Sequence, residues 1–294
     1  MLASLSAKSD VLTEALPYIS RYEGKTFVVK YGGAAQVDED LKETFAQDVT
    51  LLKKIGIKVA IVHGGGKEVT DIAGRLGLES RFVNGLRYTD EPMMSVVQMV
   101  LAGKTNKDIV SRINRHDGDA AGICGIDASL LRVKKFTEGG LDLGFVGEIA
   151  QVNTQFLNML LDHDIMPVIA PIGVSLEGEP HNVNADVAAS AIAAALQAEK
   201  LVFLSDVEGV MAGGSLIKSM DQDEGERLMN AGVISNGMIP KIRSAFTALN
   251  AGVNKVHLID GRIKHSLLLE IFTDMGIGTE LVHRPGVETA RSGR

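Results

Sequence analysis

Two runs of apolar and β-branched residues, each ending in adjacent glycines, most constrain how this chain can fold. Residues 26–33 read Thr-Phe-Val-Val-Lys-Tyr-Gly-Gly, and residues 59–66 read Val-Ala-Ile-Val-His-Gly-Gly-Gly. Such runs are typical of parallel strands that helices cover on both faces. Glycine lets the backbone turn sharply and lets its N–H groups approach an anion closely. We predict that one loop holds donor phosphates and that the other holds the group that receives a phosphoryl.

Segments of helical and strand-like pattern alternate along the chain. Helices are predicted at about 39–55, 67–77, 104–116 and 265–275, and a further helix is predicted from near Asp90 through Leu101, after an irregular segment at 82–90. A helix that ends at Asp162 is predicted with Asn153 as its cap. Buried strands are predicted at 165–171, 200–204 and 254–259, the last of which is expected to be the final strand. Hairpins are predicted at 130–152 and 173–178. This order predicts an α/β three-layer sandwich with an open, mainly parallel central sheet. Glycine-rich junctions in both halves predict a lobe at 23–178 and a second lobe at 179–294.

The segment before the first strand carries leucine and isoleucine at near-helical spacing, with Pro17 expected to bend or end the helix. Two interpretations stay open for residues 1–22. The segment is either a helix packed on its own domain or a helical arm that packs on another subunit.

Composition narrows the classes of partner. The formal net charge is −7 and no basic cluster is present, so binding to nucleic acid or to a membrane surface is not expected. A single cysteine, Cys124, fits a reducing compartment, and neither a signal peptide nor an apolar run long enough to span a bilayer is recognisable. A cytoplasmic protein is therefore expected.

Common catalytic motifs do not explain the glycine loops. Gly24-Lys25-Thr26 and Gly103-Lys104-Thr105 carry the end of a P-loop, but Ile19 and Gln98 stand where its first glycine is required. Neither strand is followed by Gly-x-Gly-x-x-Gly, and the sequence has no His/Cys metal cluster and no Gly-x-Ser-x-Gly motif. A phosphate-binding protein of this sequence needs a different glycine-loop fold.

Two lysines and one aspartate are candidates for handling a phosphoryl group. Lys30 can direct its ammonium at the transferring group, although a solvated strand end is the commoner role of such a lysine. Lys241 lies at a predicted helix start, where a cation is unfavourable for the helix dipole, so an anionic partner is inferred. Asp186 can position the lysines or can serve only as a first-turn acid.

Three further polar residues have alternative roles. Arg87 can hold a carboxylate through two hydrogen bonds or can be a surface arginine. Asn184 can contact a ligand or simply cap a helix. His63 precedes the glycine triplet, and we predict a packed loop histidine there rather than an acid–base catalyst.

Six motifs in combination resemble those of the amino acid kinase family over about 25–280. They read Val-Lys-Tyr-Gly-Gly, Val-His-Gly-Gly-Gly, Gly-Leu-Arg-Tyr-Thr, Asn-Val-Asn-Ala-Asp, Ser-Asp-Val-Glu-Gly-Val and Gly-Met-Ile-Pro-Lys. The resemblance is to members that use ATP to phosphorylate the γ-carboxylate of N-acetyl-L-glutamate, a step of arginine biosynthesis. It implies an N-terminal lobe that binds the acyl amino acid and a C-terminal lobe that binds ATP.

The resemblance also implies roles for individual residues. Lys30 and Lys241 would stabilise the transferring phosphoryl, Asp186 would organise the lysines, and Gly33 and Gly65 would donate backbone N–H groups. Acetylglutamate would be held by Gly65, Gly66, Arg87, Asn182 and Asn184. The nucleotide would lie against Ser205, Asp206, Val207, Glu208, Gly209, Val210, Met211, Ser235, Gly237 and Met238. Mg²⁺ would be held mainly by ATP oxygens and water, with no protein metal site.

The N-terminal segment resembles the arms of arginine-inhibited hexamers in this family. The resemblance implies a homo-oligomer, a dimer or a hexamer built as a trimer of dimers, with L-arginine as inhibitor. The inhibitor would lie near Tyr18, Lys200, Glu270, Gly276 and Gly278.

Two departures and two rival functions remain. Ala34 and Lys67 stand where the family commonly has asparagine and proline, and Lys67 adds a charge near the site. One rival is a kinase for another acyl amino acid, such as an aminoadipate derivative. The other is a non-catalytic arginine sensor, against which the intact set of Lys30, Asp186 and Lys241 argues.

Overall fold

The computed structural model describes residues 13–283, except 138, 139, 141, 236, 274 and 275. The strands are β1 (Thr26–Tyr31), β2 (Lys58–His63), β3 (Phe82–Val83), β4 (Leu86–Arg87), β5 (Ala120–Cys124), β6 (Leu131–Lys135), β7 (Gly147–Val152), β8 (Met166–Ala170), β9 (Ile172–Val174), β10 (Pro180–Asn182), β11 (Lys200–Ser205), β12 (Met211–Ala212), β13 (Ser215–Leu216), β14 (Ser219–Met220), β15 (Lys255–Asp260) and β16 (Thr279–Leu281). The helices are α1 (13–22), α2 (Glu39–Lys54), α3 (Gly66–Arg75), α4 (Glu91–Gln98), α5 (Asn106–Arg115), α6 (Thr154–Asp162), α7 (Ala185–Ala195), α8 (Gln222–Asn230), α9 (Met238–Asn250) and α10 (Ser266–Ile271).

One eight-stranded sheet forms the centre of the molecule, in the order β14-β16-β15-β11-β1-β2-β8-β5. Its pairs are parallel except for β15 with β16. Strand β1 lies between β11 and β2, with Lys30 beside Phe203 on one side and Val62 on the other. The carboxyl ends of these three strands therefore meet at one edge, where ligands bind in open α/β sheets.

Helices cover both faces of the central sheet, so the predicted fold class is confirmed. Alternate residues of β1 point to opposite faces. Val28 belongs to a core with residues of α6, α7, α8 and α9, whereas Phe27 and Val29 belong to a second core with residues of α2, α5 and α10. Within the described residues, no helix combines the length and the hydropathy that a membrane span requires.

A second, four-stranded sheet has the order β10-β9-β6-β7. Strands β6 and β7 pair antiparallel, as do β9 and β10, which confirms both predicted hairpins. Strand β10 ends at Asn182, immediately before α7, so this small sheet lies next to the same edge of the central sheet.

Several predicted boundaries are wrong. Strand β5 was not predicted, because Ala-Ala-Gly-Ile-Cys lacks the β-branched residues that mark a strand in sequence. Strand β16 follows β15, so 254–259 is not the final strand. The helix predicted at 265–275 is shorter than expected, since α10 ends at Ile271. Helix α1 continues past Pro17 to residue 22, since proline removes a single N–H donor and leaves the following turn free to form.

The region between α4 and α5 also differs from the prediction of two separate helices. A π-helical segment, Met99–Thr105, joins them without a break. Such segments are rare and frequently lie at functional sites. Residues 82–90, predicted as irregular, contain the short hairpin of β3 and β4.

The predicted cap of α6 generates a stability test away from the central edge. Asn153 Oδ1 accepts the Phe156 N–H, and its Nδ2 donates to the Ala128 carbonyl. Asn153→Ala should lower the free energy of unfolding by about 1 kcal/mol in urea titrations, because a helix N–H loses its acceptor. Asn153→Ser is the matched control, since serine keeps a capping oxygen; equal losses in both variants would contradict the capping role.

Candidate active site

Three charged side chains meet at the carboxyl edge of the central sheet. Lys30 Nζ lies 3.0 Å from Asp186 Oδ1, and Lys241 Nζ lies 2.7 Å from Asp186 Oδ2. The second contact is a hydrogen bond, whereas the first is an ion pair without hydrogen-bond alignment. Within this cluster two ammonium groups face one carboxylate, so one positive charge is uncompensated and an anion would be stabilised there.

The secondary structure explains why these side chains meet. Lys30 is the penultimate residue of β1, and Asp186 and Lys241 lie in the first turns of α7 and α9. Asn184 caps α7, because its side-chain oxygen accepts the N–H groups of Asp186 and Val187. The capping alternative for Asn184 is therefore correct, and a contact with a ligand stays a prediction.

Burial and charge shift the protonation equilibria of the cluster. Burial opposes ionisation of Asp186, but the two ammonium groups outweigh it and lower its pKa to about 2. Burial and the neighbouring Lys30 lower the pKa of Lys241, and Asp186 counteracts that shift. The Asp186 carboxylate is therefore ionised at neutral pH and can bridge the two lysines.

The first glycine loop is shaped around Lys30. A Cβ built on Gly32 would lie 2.6 Å from Lys30 Nζ, so a side chain there would displace the ammonium. Gly33 has a φ of +68° and approaches the backbone of Asp206, at the end of β11. A cavity of about 520 Å³ lies in front of both glycine loops; Lys30, Gly33, Gly65, Gly66, Lys67 and Asp206 are among its lining residues.

A neighbouring cavity of about 210 Å³ brings together every residue predicted to bind the acceptor. Its lining includes Gly65, Gly66, Arg87, Asn182 and Asn184. The two cavities share the glycine triplet. An acceptor in the smaller cavity would therefore lie next to the Lys30 side of the larger one.

Arg87 is buried and held by oxygen atoms that carry no net charge. Its Nη1 donates to Ser80 Oγ at 2.6 Å, and its Nη2 donates to Gly66 O at 2.8 Å and to Thr70 Oγ1 at 2.9 Å. No carboxylate in the described part of the chain forms an ion pair with it. A buried guanidinium without a counter-ion favours an anionic ligand, and burial lowers the pKa of Arg87.

The predicted nucleotide residues form two groups, one at the carboxyl end of β11 and one at the N-terminus of α9. Ser205 ends β11, Met211 begins β12, and Gly237 is the N-cap of α9. The Val210 N–H donates to Thr279 Oγ1, so this amide already has an acceptor. Of the predicted nucleotide residues, Asp206 lines the cavity at the glycine loops, and a contact with the nucleotide stays a prediction for all of them.

The five residues predicted for arginine lie together in a separate cavity of about 300 Å³. Tyr18, Lys200, Glu270, Gly276 and Gly278 all line it. His257 bridges the cluster, with its Nδ1 2.7 Å from Glu270 Oε1 and its Nε2 2.8 Å from Lys200 Nζ. Burial and the nearby Lys255 lower the pKa of Lys200 to about 8, against the opposing effect of Glu280.

Comparison with known proteins decides the family. The model of the amino acid kinase family matches residues 25–260, which is most of the chain. The chain belongs to the amino acid kinase family. The family inferred from the six motifs is thereby confirmed.

Within this family, similar relatives carry the name acetylglutamate kinase. One from Chlorobaculum tepidum is 54% identical over 93% of this chain and 95% of its own length. Another from Aquifex aeolicus is 53% identical over 94% of this chain and 98% of its own length. The similarity therefore covers nearly the whole of both relatives.

Solved structures with a similar fold include two further enzymes. An N-acetylglutamate synthase from Neisseria gonorrhoeae, complexed with coenzyme A and N-acetyl-glutamate, is 28% identical with a TM-score of 0.85 over 94% of this chain. This chain spans only 63% of that protein. A carbamate kinase from Giardia lamblia bound to AMP-PNP has a TM-score of 0.67 at 15% identity over 89% of this chain and 99% of that protein, which supports the fold alone.

The sequence reasoning missed the partners of the predicted residues. Ser80 and Thr70 hold Arg87, and Thr89 Oγ1 accepts from Asn182 Nδ2 at 3.2 Å. Small hydroxyl residues are common in any chain and carry no spacing signal. Only Thr89 was within a quoted motif, Gly-Leu-Arg-Tyr-Thr, and could have been noticed.

The low pKa of Asp186 generates a prediction about acid stability. A carboxyl whose pKa is lower in the folded state adds stability above its unfolded pKa, near 3.8, and loses it as the pH falls toward about 2. The free energy of unfolding can be measured by urea titration between pH 6 and pH 2.5. Below about pH 4, the free energy of unfolding of the wild type should fall by about 2 kcal/mol more than that of Asp186→Asn. A difference between the two proteins that is independent of pH would contradict the ion-pair cluster.

Proposed function

We propose that this protein transfers the γ-phosphoryl of ATP to the side-chain carboxylate of N-acetyl-L-glutamate, in arginine biosynthesis. The observation that carries the proposal is the cluster of Lys30, Asp186 and Lys241 beside a cavity that contains the buried Arg87. The relatives named acetylglutamate kinase support the same activity.

The chemistry requires little from the protein beyond position and charge. A carboxylate oxygen of the acceptor attacks the γ-phosphorus, the bond to the bridging oxygen of ADP breaks, and the products are an acyl phosphate and ADP. The acceptor is already an anion, so no general base is needed. Lys30 and Lys241 offset the negative charge of the transferring phosphoryl group and of the attacking and leaving oxygens. Asp186 holds the two ammonium groups close together.

Backbone N–H groups of Gly33 and Gly65 supply further donors in this proposal. Neither glycine carries a side chain that could cover its N–H group, and both line the cavity that Lys30 also lines. Donors that are already oriented cost no reorganisation when the charge develops. Lys67 lines the same cavity and would add a positive charge next to the incoming phosphates.

Arg87 is proposed to bind a carboxylate of the acceptor, with Gly66, Asn182 and Asn184 around it. The guanidinium is oriented by three neutral oxygens before any ligand arrives, so its remaining N–H groups are available in a defined direction. Asn182 is oriented in the same way by Thr89.

The nucleotide is proposed to lie on the C-terminal lobe, 179–294, and the acyl amino acid on the lobe 23–178. Asp206, at the end of β11, lines the phosphate side of the cavity. Mg²⁺ would be held mainly by phosphate oxygens and water, and it would neutralise the phosphates. A cytoplasmic location is part of the proposal and rests on the single cysteine, which fits a reducing compartment.

The first test removes one ammonium group. Lys241→Ala should lower kcat by about 100- to 1,000-fold, because a preorganised charge at the transition state is lost. The KM for ATP should change far less. Steady-state kinetics in a coupled ADP assay measures both values, with the exposed Lys134→Ala as control; near-normal turnover of Lys241→Ala would remove Lys241 from the mechanism.

The second test concerns the acceptor. Turnover with N-acetyl-L-glutamate should exceed turnover with the matching N-acetyl-aminoadipate by at least about tenfold, because one extra methylene in a small cavity costs about 1–3 kcal/mol. Preference for the longer acid would identify the rival kinase. No turnover with any acyl amino acid would favour the non-catalytic arginine sensor.

We also propose that the cavity around Glu270 binds L-arginine and that the chain assembles as a dimer or as a trimer of dimers. Tyr18 of α1 packs edge-on against Phe272, with ring centroids 6.3 Å apart, so the N-terminal helix forms one wall of this cavity. The acidic Glu270 and the aromatic wall suit a guanidinium ligand. Leu16 of the same helix is 57% exposed, which leaves an apolar contact for another subunit.

Deletion of residues 1–22 is the corresponding test. The variant should remain active as a dimer, and arginine should inhibit it less strongly, because the deletion removes both the wall at Tyr18 and the exposed Leu16. Light scattering during gel filtration and arginine inhibition curves measure the two effects. Hexamers that persist after the deletion would contradict the role of the arm.

A further inference from the structure

His63 is a buried histidine that the proposed reaction does not use. It is the last residue of β2, directly before the glycine triplet, and it has no exposed surface. It is packed, as predicted, but it belongs to the strand rather than to the loop. Its hydrogen bonds, however, lead into the loop that faces the cavity.

Both ring nitrogens of His63 have partners of a defined kind. Nδ1 lies 2.7 Å from the Gly64 carbonyl oxygen, which can only accept, so Nδ1 carries the proton. Nε2 lies 3.1 Å from Asn106 Nδ2, which donates, because the same nitrogen also donates to Val168 O at 2.8 Å. Burial lowers the pKa of His63 to about 4, which keeps this single tautomer neutral at physiological pH.

The contact with the Gly64 carbonyl sets the direction of the next N–H group. The Gly64 C=O and the Gly65 N–H belong to one planar trans peptide and therefore point in opposite directions. The Gly64 N–H is held as well, since it donates to the Tyr31 carbonyl at 2.8 Å. With both sides of Gly64 held, the Gly65 N–H is directed away from the histidine, and no acceptor for it exists among the described residues.

The π-helical segment packs against Gly65. A Cβ built on Gly65 would lie 2.6 Å from Leu101 Cδ2 and 3.4 Å from Thr105 Oγ1, and Gly65 has a φ of +150°. Asn106, which holds the histidine, directly follows this segment. A single stretch of chain thus contacts both the ring of His63 and the backbone of Gly65.

We propose that His63 is a positioning residue, which acts through the Gly64 carbonyl to aim the Gly65 N–H at the transferring phosphoryl group. The proposal rests on the phosphoryl transfer proposed above. The histidine itself exchanges no proton with substrate. Its ring gives the flexible triplet one orientation, so the donor is in place before the charge develops.

Two substitutions of His63 separate positioning from packing. In His63→Asn the side-chain amide occupies the place of Nδ1 and can donate to Gly64 O, whereas in His63→Gln it occupies the place of Nε2 and faces Asn106. Each variant keeps one of the two hydrogen bonds. We expect similar melting temperatures for the two, but a kcat for His63→Gln that is about 10- to 100-fold lower than for His63→Asn, with a small change in the KM for ATP.

The kinetic outcome is decisive in either direction. Equal kcat values for the two variants, or a kcat of His63→Gln within about threefold of wild type, would overturn the proposal and leave a packing role. The kinetics are measured with the acceptor that the wild type turns over best. If acetylglutamate is the wrong acceptor, the wild-type enzyme shows it directly, and the comparison between the two His63 variants is unaffected.

A measurement on the wild-type protein covers the case in which a variant does not fold. Long-range ¹H–¹⁵N correlation spectra at pH 7 distinguish the tautomers of a neutral imidazole. We expect the proton of His63 on Nδ1. A proton on Nε2, or a doubly protonated ring, would remove the hydrogen bond to Gly64 O and overturn the proposal.

Discussion

The ion-pair cluster at Asp186 depends on the order of strands in the central sheet. Strand β1 brings Lys30 to the edge, and the helices beside it bring Asp186 and Lys241 from the other half of the chain. Two ammonium groups this close repel each other, and the carboxylate between them makes the arrangement stable. In the proposed reaction, the incoming phosphoryl would meet a positive site that already exists, so little reorganisation would be needed.

Neutral hydrogen bonds, rather than further ion pairs, organise the surroundings of this cluster. Ser80, Thr70 and the Gly66 carbonyl orient Arg87, and the Gly64 carbonyl is held by His63. Neutral partners leave the charge of the guanidinium uncompensated for a ligand.

Residue pattern alone predicted most of the elements that position the site. Strands β1, β2, β8 and β11 were recognisable because their apolar runs are dense. Asn153 and Asn184 were recognisable as cap candidates because asparagine is a preferred residue at helix N-termini. Strand β5 was not, because small residues in it carry little β propensity and pairing with β8 decides its conformation. The π-helical segment has no local signature, and its close approach to Gly65 through Leu101 and Thr105 is a contact between residues far apart in the chain.

The sequence by itself determined the α/β class, the family and the identity of the charged residues, because these depend on local pattern and on motifs. Only the tertiary structure decided that Asp186 reaches both lysines, that Tyr18 shares a cavity with Lys200 and Glu270, and that His63 holds the Gly64 carbonyl. Contacts between residues far apart in the chain depend on strand order and on helix packing, and no local pattern contains that information.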